Sequence, residues 1–238
     1  MQHTRCAIIA VTLLAAAPVA AQPSTPAPTA ATEGEDILVV GMGSNGYHLS
    51  PDQLRGAVRG FEDYRATYAP AARLIWRFRP DGSGAGVALA LKSTAETLPV
   101  AIATDGTFTL PHDKLLTGQY RLVTTAAKGA IRIQPWAISP GGTHTQFRFG
   151  DARLTCRVMW GFLAPGYSLV QRGLFNMVGG CASSRIGIYF NADKPIAAVA
   201  IDKWPRSPEV TSDGKAWHIP LYDTRIGNDD LVRITYRP

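Results

Sequence analysis

The chain has few of the side chains that bind metal ions. Its 238 residues include 5 histidines and 3 cysteines. Neither H-x-x-x-H nor C-x-x-C occurs, although zinc sites are commonly built from such short ligand spacings. The sequence therefore predicts neither a metal site nor a bound cofactor.

Motifs that supply a catalytic nucleophile are also missing. Residues 166–170 read GYSLV and lack the last glycine of G-x-S-x-G, the turn that exposes a serine nucleophile. Four carboxylates could serve acid–base chemistry: Asp213, Asp223, Asp229 and Asp230. Most of them stand in Asp-Gly or Asn-Asp-Asp sequences, which are typical of turns. We expect no catalytic residues, with a hydrolase acting on envelope polysaccharide or peptide as the alternative.

No apolar run is long enough to cross a membrane, which takes ~20 residues. Residues 6–17 are apolar and follow Arg5, and small residues stand at Val19 and Ala21. This form is typical of a secretory signal peptide at residues 1–21. We expect export to the periplasm or the cell exterior, and no transmembrane segment in the mature chain. A small outer-membrane β-barrel is an alternative, although the predicted strands are shorter than the ~9–11 residues it needs.

Cleavage after Ala21 would leave two cysteines, Cys156 and Cys181. Two cysteines in an exported chain can pair under oxidising conditions, so we predict a disulfide between them. Two unpaired thiols are the alternative, because spacing alone does not establish a bond.

The charge balance is mildly basic. The formal net charge is +6, and removal of Arg5 leaves 23 basic against 18 acidic residues, or +5. The arginines form no run and are interpreted as a solvated strand face, so no nucleic-acid partner is expected. They include Arg73, Arg77, Arg79, Arg153, Arg157, Arg233 and Arg237.

Two short motifs occupy residues 36–46. The stretch from Asp36 to Val40 looks like a TonB box, a segment that adds a strand to a partner's sheet. Residues 41–46 form G-x-G-x-x-G, the dinucleotide fingerprint, which requires a helix starting inside the glycine loop. Pro51 would interrupt such a helix near its start. We therefore expect no nucleotide site, and TonB-like contact only as a remote alternative.

Residues 22–49 are predicted to be a flexible linker, since residues 22–35 contain no large apolar side chain. A short helix is predicted over residues 50–65. Ser50 suits the N-cap and Pro51 the first turn, and apolar residues then recur at helical spacing.

After residue 70 apolar side chains recur every second residue, which indicates half-buried strands. The alternating sets are 74–78, 87–91, 154–162, 186–190 and 232–236. Turn signals at Asp105-Gly106, Pro140-Gly141-Gly142 and Asp213-Gly214 separate them. The predicted fold class is all-β, with one or two antiparallel β-sandwich domains after the signal peptide, linker and helix. We expect a sandwich over residues 70–139, and a second one, or the second half of one larger sandwich, over 145–238.

Residues 84–129 resemble carboxypeptidase regulatory-like, transthyretin-type β-sandwich domains. That family shows D-G-x-F-x-L followed by L-x-x-G-x-Y-x-L. Here residues 105–110 read DGTFTL and residues 115–122 read LLTGQYRL. The Asp-Gly and aromatic part of this motif recurs about 108 residues later, where Asp213-Gly214 precedes Trp217. The resemblance implies an accessory or spacer module without catalytic residues. The chain is also similar to exported proteins of Gram-negative bacteria.

Three aromatic residues stand beside Pro- and Gly-bearing segments that are predicted to be loops. Exposed loop aromatics can stack on a sugar or a peptide, so Trp136, Trp204 and Tyr222 are the candidate ligand-binding residues. Trp76, Trp160 and Trp217 lie in the alternating runs and are predicted to be core. The function expected is that of a binding or structural accessory protein, with an envelope glycan or protein as its partner.

Overall fold

The structure is a computed structural model that describes residues 46–79, 86–127, 131–192 and 194–238. The predicted signal peptide, the TonB-like segment and all but the last residue of the glycine motif lie outside these ranges. The strands are β1 (Gly46–Leu49), β2 (Arg73–Arg79), β3 (Leu89–Lys92), β4 (Thr97–Val100), β5 (Thr107–Phe108), β6 (Arg121–Ala127), β7 (Arg132–Ile138), β8 (Gln146–Arg148), β9 (Tyr189–Asn191), β10 (Ile196–Ile201), β11 (Ala216–His218) and β12 (Leu231–Tyr236). The helices are α1 (Pro51–Tyr68), α2 (His112–Thr117), α3 (Phe149–Leu163) and α4 (Leu169–Met177), with 3-10 turns at Ala164–Gly166 and Gly180–Ala182.

In the part of the chain that the structure covers, the strands form four antiparallel sheets. The predicted strand-rich, antiparallel architecture is therefore confirmed. The strand orders are β1-β6-β3-β4, β5-β2-β7, β10-β12-β8 and β11-β9. The last four residues of the predicted linker form β1, which pairs with β6. The element after the glycine motif is therefore a strand of an antiparallel sheet rather than a helix. Within the described residues, four helices accompany the sheets where one was expected.

The β5-β2-β7 sheet separates two hydrophobic cores. One face of β2 carries Leu74, Trp76 and Phe78, which pack in the core that contains α1 and the β1-β6-β3-β4 sheet. The opposite face carries Ile75 toward the second core, which is built from β8 to β12. The predicted burial of Trp76 and Trp217, which are 0% and 1% exposed, is confirmed.

Helix α1 begins where the sequence predicts. The Ser50 side chain accepts from the backbone N–H of Gln53 at 3.3 Å, and the Gln53 side chain accepts from the Ser50 N–H at 3.0 Å. This reciprocal cap satisfies two N–H groups that the first turn leaves unpaired. The helix runs to Tyr68, three residues beyond the predicted end.

Helices α1 and α3 touch backbone to backbone. A Cβ atom built on Gly56 would lie 2.0 Å from the carbonyl oxygen of Gly161, and one built on Gly161 would lie 2.0 Å from that of Gly56. A Cβ on Gly60 would lie 2.5 Å from the Arg157 carbonyl oxygen, and a Cβ on Gly150 2.1 Å from that of Tyr68. The helices are thus antiparallel, and each of these close contacts requires a glycine on at least one of the two helices.

The prediction of a strand over residues 153–162 is wrong, because this segment lies within helix α3. The alternating apolar set contains Leu154, Val158 and Phe162, which are also spaced four residues apart and face the first core. Trp160, predicted to be core, is half-buried and packs against the second core. Apolar residues at every second position also stand at every fourth position, so the alternation in the sequence hides the helical spacing of this segment.

The predicted disulfide is confirmed. Cys156 on α3 and Cys181 in the 3-10 turn Gly180–Ala182 are bonded, with an S–S distance of 2.03 Å. The bond closes the segment that contains α4, and no residue of that helix is buried. Within the described ranges no helix has the length and apolar character needed to cross a bilayer.

Gly161→Ala should destabilise the fold by about 3 kcal/mol, because the new methyl group meets the backbone of α1, which cannot move aside like a side chain. Gly173→Ala is the matched control. It places the same methyl group in open space on α4 and should stabilise the fold by up to about 1 kcal/mol through helix propensity. Chemical denaturation measures both changes, and equal stabilities of the two variants would contradict the close helix contact.

Cys156→Ser together with Cys181→Ser should lower the unfolding free energy by about 3.5 kcal/mol, the chain-entropy value for a separation of 25 residues. Reduction of the native protein should have the same effect and should add nothing in the double variant. A thiol assay on the denatured, non-reduced chain, with Cys6 replaced, provides the control. Two reactive thiols in that assay would contradict the bond.

Candidate functional site

The face of β2 and β7 that carries Ile75 and Trp136 forms the floor of a cavity of about 530 Å³ at the edge of the second core. Arg73, Ile75 and Arg77 are spaced two residues apart and therefore share this face of β2. The register places Ile75 opposite Trp136 and Arg73 opposite Ile138. A volume of this size lies in the range of small-ligand sites.

Trp136 supports one of the two arginines. The guanidinium carbon of Arg77 lies 5.1 Å from the centroid of the Trp136 ring, a cation–π arrangement. The ring also packs edge-on against Phe147 and Phe190, with centroid distances of 5.7 and 5.6 Å. Trp136 thus holds the Arg77 head over the cavity floor.

The prediction that Trp136 is a loop aromatic is wrong. It lies in the middle of β7 and is 5% exposed, because the strand runs through the Pro135 position without a break. Pro135 pairs with Trp76 in the ladder. The residue nevertheless lines the cavity. Its ring therefore forms part of the cavity wall and supports Arg77, and it is too buried to stack on a ligand from solvent.

Two glycine-bearing turns form the sides of the cavity, and the sequence predicts both. The first contains Asp105 and Gly106, with Gly106 at φ 76°. The second contains Gly141 at φ 77°, a conformation that glycine adopts without the strain of a side chain. These turns bring Thr104, Thr107, Thr143 and His144 to the cavity.

Asp105 is the acidic residue of the cavity lining. The Thr107 hydroxyl donates to its Oδ1 at 2.7 Å, and the Thr107 backbone N–H donates to the same oxygen at 3.0 Å. These two hydrogen bonds, with a smaller contribution from the charge of Arg73, lower the pKa of the Asp105 carboxyl. The cavity therefore combines two guanidinium groups with one carboxylate, and its charge is net positive.

Arg73 is the freer of the two cations. It is exposed, and among the residues described here its side chain makes no ion pair. Arg77 is half-buried and held by Trp136. The cavity thus presents one guanidinium that is held by a ring and one that is exposed, and the Cα atoms of these two residues lie about 13 Å apart along the strand at ~3.3 Å per residue.

The other two candidate aromatics lie elsewhere and do not line this cavity. Trp204 follows β10 and lies under Arg225, whose guanidinium carbon is 5.1 Å from the ring centroid. Tyr222 lines a second, more open hollow of about 400 Å³. The cation of that hollow, Arg153, donates to the backbone oxygens of Leu221 and Asp223 and to the Asn228 side chain. The guanidinium N–H groups of Arg153 therefore bond to groups of the fold itself.

The carboxylates considered for acid–base chemistry have partners inside the fold. Asp223 accepts from Arg225 at 2.6 Å and Asp230 pairs with Lys203 at 2.7 Å. Asp213 caps the turn before β11 by accepting from Lys215. In the part of the chain that the structure covers, no three His, Cys, Asp or Glu side chains are grouped so that they could hold a metal ion.

Sequence reasoning missed the arginines as site residues. Their alternation along β2 is visible in the sequence, but it is equally typical of a solvated strand face. The turn signals at 105–106 and 140–142 predict where strands end, but they do not indicate a binding site. What the sequence does not show is that these turns converge on the arginine face of β2.

Thr107→Val should raise the pKa of Asp105, because it removes the hydroxyl donor and keeps the backbone donor. In the native protein the pKa of Asp105 is lowered, so its charge contributes stability above the unfolded-state value near 3.8, and this contribution is lost as the pH falls through the folded-state pKa. The variant should lose less stability on acidification. Carboxyl NMR titration measures the pKa, with the exposed Thr109→Val as control; identical titrations in both variants would contradict the assignment.

Comparison with protein-family models gives no match. Comparisons with curated proteins and with solved structures also give none. The transthyretin-type resemblance of residues 84–129 therefore rests on its motif residues alone. Within that segment the described elements are β3 to β6 and α2, and the D-G-x-F motif forms the turn and strand at one side of the cavity.

Proposed function

We propose that this protein is an exported, non-catalytic binding protein that holds an acidic saccharide in the cavity between β2, β7 and the two glycine turns. The observation that carries the proposal is the pairing of Arg73 and Arg77 on one strand face within a cavity of ligand size. Guanidinium groups form charge-assisted, often bidentate hydrogen bonds with carboxylates and phosphates.

The remaining lining suits a polyol. Thr104, Thr107 and Thr143 place hydroxyl groups at the cavity, and each hydroxyl can both donate and accept a hydrogen bond. Ile75 and Ile138 add apolar surface between the two cations. This combination matches a sugar ring that carries a carboxylate or a phosphate, as in an acidic envelope glycan.

Export is supported by the signal-peptide form of residues 1–21 and by the disulfide between Cys156 and Cys181, since such bonds persist in oxidising compartments. For the fold we propose β-sandwich layers with a transthyretin-type segment at residues 84–129. The two Asp-Gly turns support the proposed repeat. In each, the aspartate accepts from the backbone N–H two residues later, at 3.0 Å for Asp105 and 2.9 Å for Asp213, and a buried aromatic follows.

Arg73→Gln should weaken binding of acidic oligosaccharides by roughly 10-fold or more, the loss expected for a charge-assisted hydrogen bond. Asp105→Asn should strengthen binding by a few-fold, because it removes the opposing charge and keeps an oxygen that accepts from Thr107. Calorimetry with acidic and neutral oligosaccharides measures these changes.

Arg121→Gln is the matched control, since it removes an exposed strand arginine from the β1-β6-β3-β4 sheet. It should leave the affinity unchanged. Equal affinity for neutral and acidic sugars, or an Arg73→Gln variant that binds like the native protein, would contradict the proposal. Product formation from a bound oligosaccharide would instead indicate the hydrolase.

A further inference from the structure

His144 lies on the turn between β7 and β8 and lines the basic cavity together with Arg73, Arg77 and Asp105. Its side chain is exposed. Within the ranges that the structure covers, its imidazole makes no hydrogen bond and no ion pair. Both ring nitrogens can therefore reach a ligand that enters the cavity.

The turn that carries His144 is packed onto the cavity floor. A Cβ atom built on Gly142 would lie 2.9 Å from the Cγ1 atom of Ile138, so glycine at this position lets the turn lie close to the floor. Ile138 is in turn the ladder partner of Arg73. His144, two residues after Gly142, is thereby placed on the side of the cavity where Arg73 stands.

Two hydrogen bonds fix the shape of this turn. The Thr143 N–H donates to the Gln146 carbonyl oxygen at 2.7 Å, and the Gln146 N–H donates to the Thr143 hydroxyl at 3.0 Å. Neither bond uses the His144 side chain. The turn is therefore ordered without engaging the imidazole.

Among the described residues that line the cavity, His144 is the group whose charge changes near neutral pH. Guanidinium groups remain protonated in proteins, which holds for Arg73 and Arg77. The hydrogen bonds from Thr107 lower the pKa of Asp105, so its carboxylate stays ionised. Imidazole changes its charge between pH 5 and 8. The charged lining residues thus carry a net +1 when His144 is neutral and +2 when it is protonated.

The charged residues on the strands beside the turn are already paired. Arg148 on β8 forms an ion pair with Asp229, and Arg233 on β12 forms one with Asp202. These pairs hold their charges constant over the range in which His144 titrates, so the change in local charge comes from His144.

The other described histidines do not line the cavity. The His112 ring lies 2.7 Å from a carboxylate oxygen of Glu62 on α1. His218 packs against the Tyr189 ring with a centroid distance of 5.5 Å, and His48 lies on β1. They serve as internal controls for an effect of pH on the whole molecule.

We propose that His144 contacts the anionic group of the bound saccharide and that its protonation strengthens the binding. This inference rests on the function proposed above, because it concerns the ligand of the same cavity. A protonated imidazole donates from both ring nitrogens and adds a positive charge, so the affinity for an acidic saccharide rises as the pH falls. By linkage, the bound anion favours the protonated ring by the same factor.

Calorimetry at about pH 8 and about pH 5.5, on either side of the usual imidazole titration, tests this proposal. The probes are digalacturonate and the neutral digalactoside, and the carboxyl groups of the first are ionised at both pH values because they titrate near pH 4. The native protein should bind digalacturonate roughly 3-fold more tightly at the lower pH, the size expected for an ion pair open to solvent. The His144→Gln variant should lose this difference.

His48→Gln is the matched control, because it removes an exposed imidazole from β1 and should keep the pH dependence. Thermal unfolding should show that both variants are folded like the native protein. In NMR, the titration of the His144 ring should move to higher pH when digalacturonate is bound.

Equal affinity of the native protein for digalacturonate at both pH values would overturn the role of His144, and so would a His144→Gln variant that keeps the pH dependence. In either case the cavity would still bind its acidic ligand, so the proposed function would stand. Absence of digalacturonate binding at both pH values would overturn the proposed function and this inference together.

Discussion

Backbone contact between helices α1 and α3 is the constraint on which the rest of the structure depends. Glycines at the contact points allow two antiparallel helices to approach more closely than any side chain permits. The pair then covers one face of β2, where Trp76 packs edge-on against Phe162 of α3 at 6.0 Å. With that face filled, the arginines of β2 are placed on the opposite side. The cavity therefore lies on the face of β2 opposite the one that contacts the helix pair.

The parts of the fold that follow from local rules were predictable. The Ser50 cap, the alternation along β2 and β12 and the Asp-Gly turns depend on a few adjacent residues, and the structure contains all of them. Helix α3 was not predictable in this way, because a run of apolar residues at every second position includes the helical spacing of four. The deciding feature is Gly161, and its role depends on Gly56, 105 residues earlier in the chain. Long-range contact, rather than propensity, determines this segment.

The site was harder to predict than the fold for the same reason. Trp136 was recognised as a candidate, but Pro135 beside it suggested a loop, whereas the ladder with β2 keeps the segment as a strand. The strand register brings Trp136 beside Arg77, and no pattern in either segment indicates that register. Trp204 and Tyr222 lie near Arg225 and Arg153, whose charges are used within the fold. The cavity differs from these places because two arginines of one strand face, Arg73 and Arg77, line it together.

The basic cavity on the central sheet is the surface to which we assign the proposed binding. The most direct test of the central claim is amide chemical-shift mapping of the protein during titration with an acidic disaccharide. The account predicts saturable shifts at Arg73, Arg77, Thr107 and His144. Shifts confined to the surroundings of Trp204 and Tyr222, or no saturable shift anywhere, would contradict it.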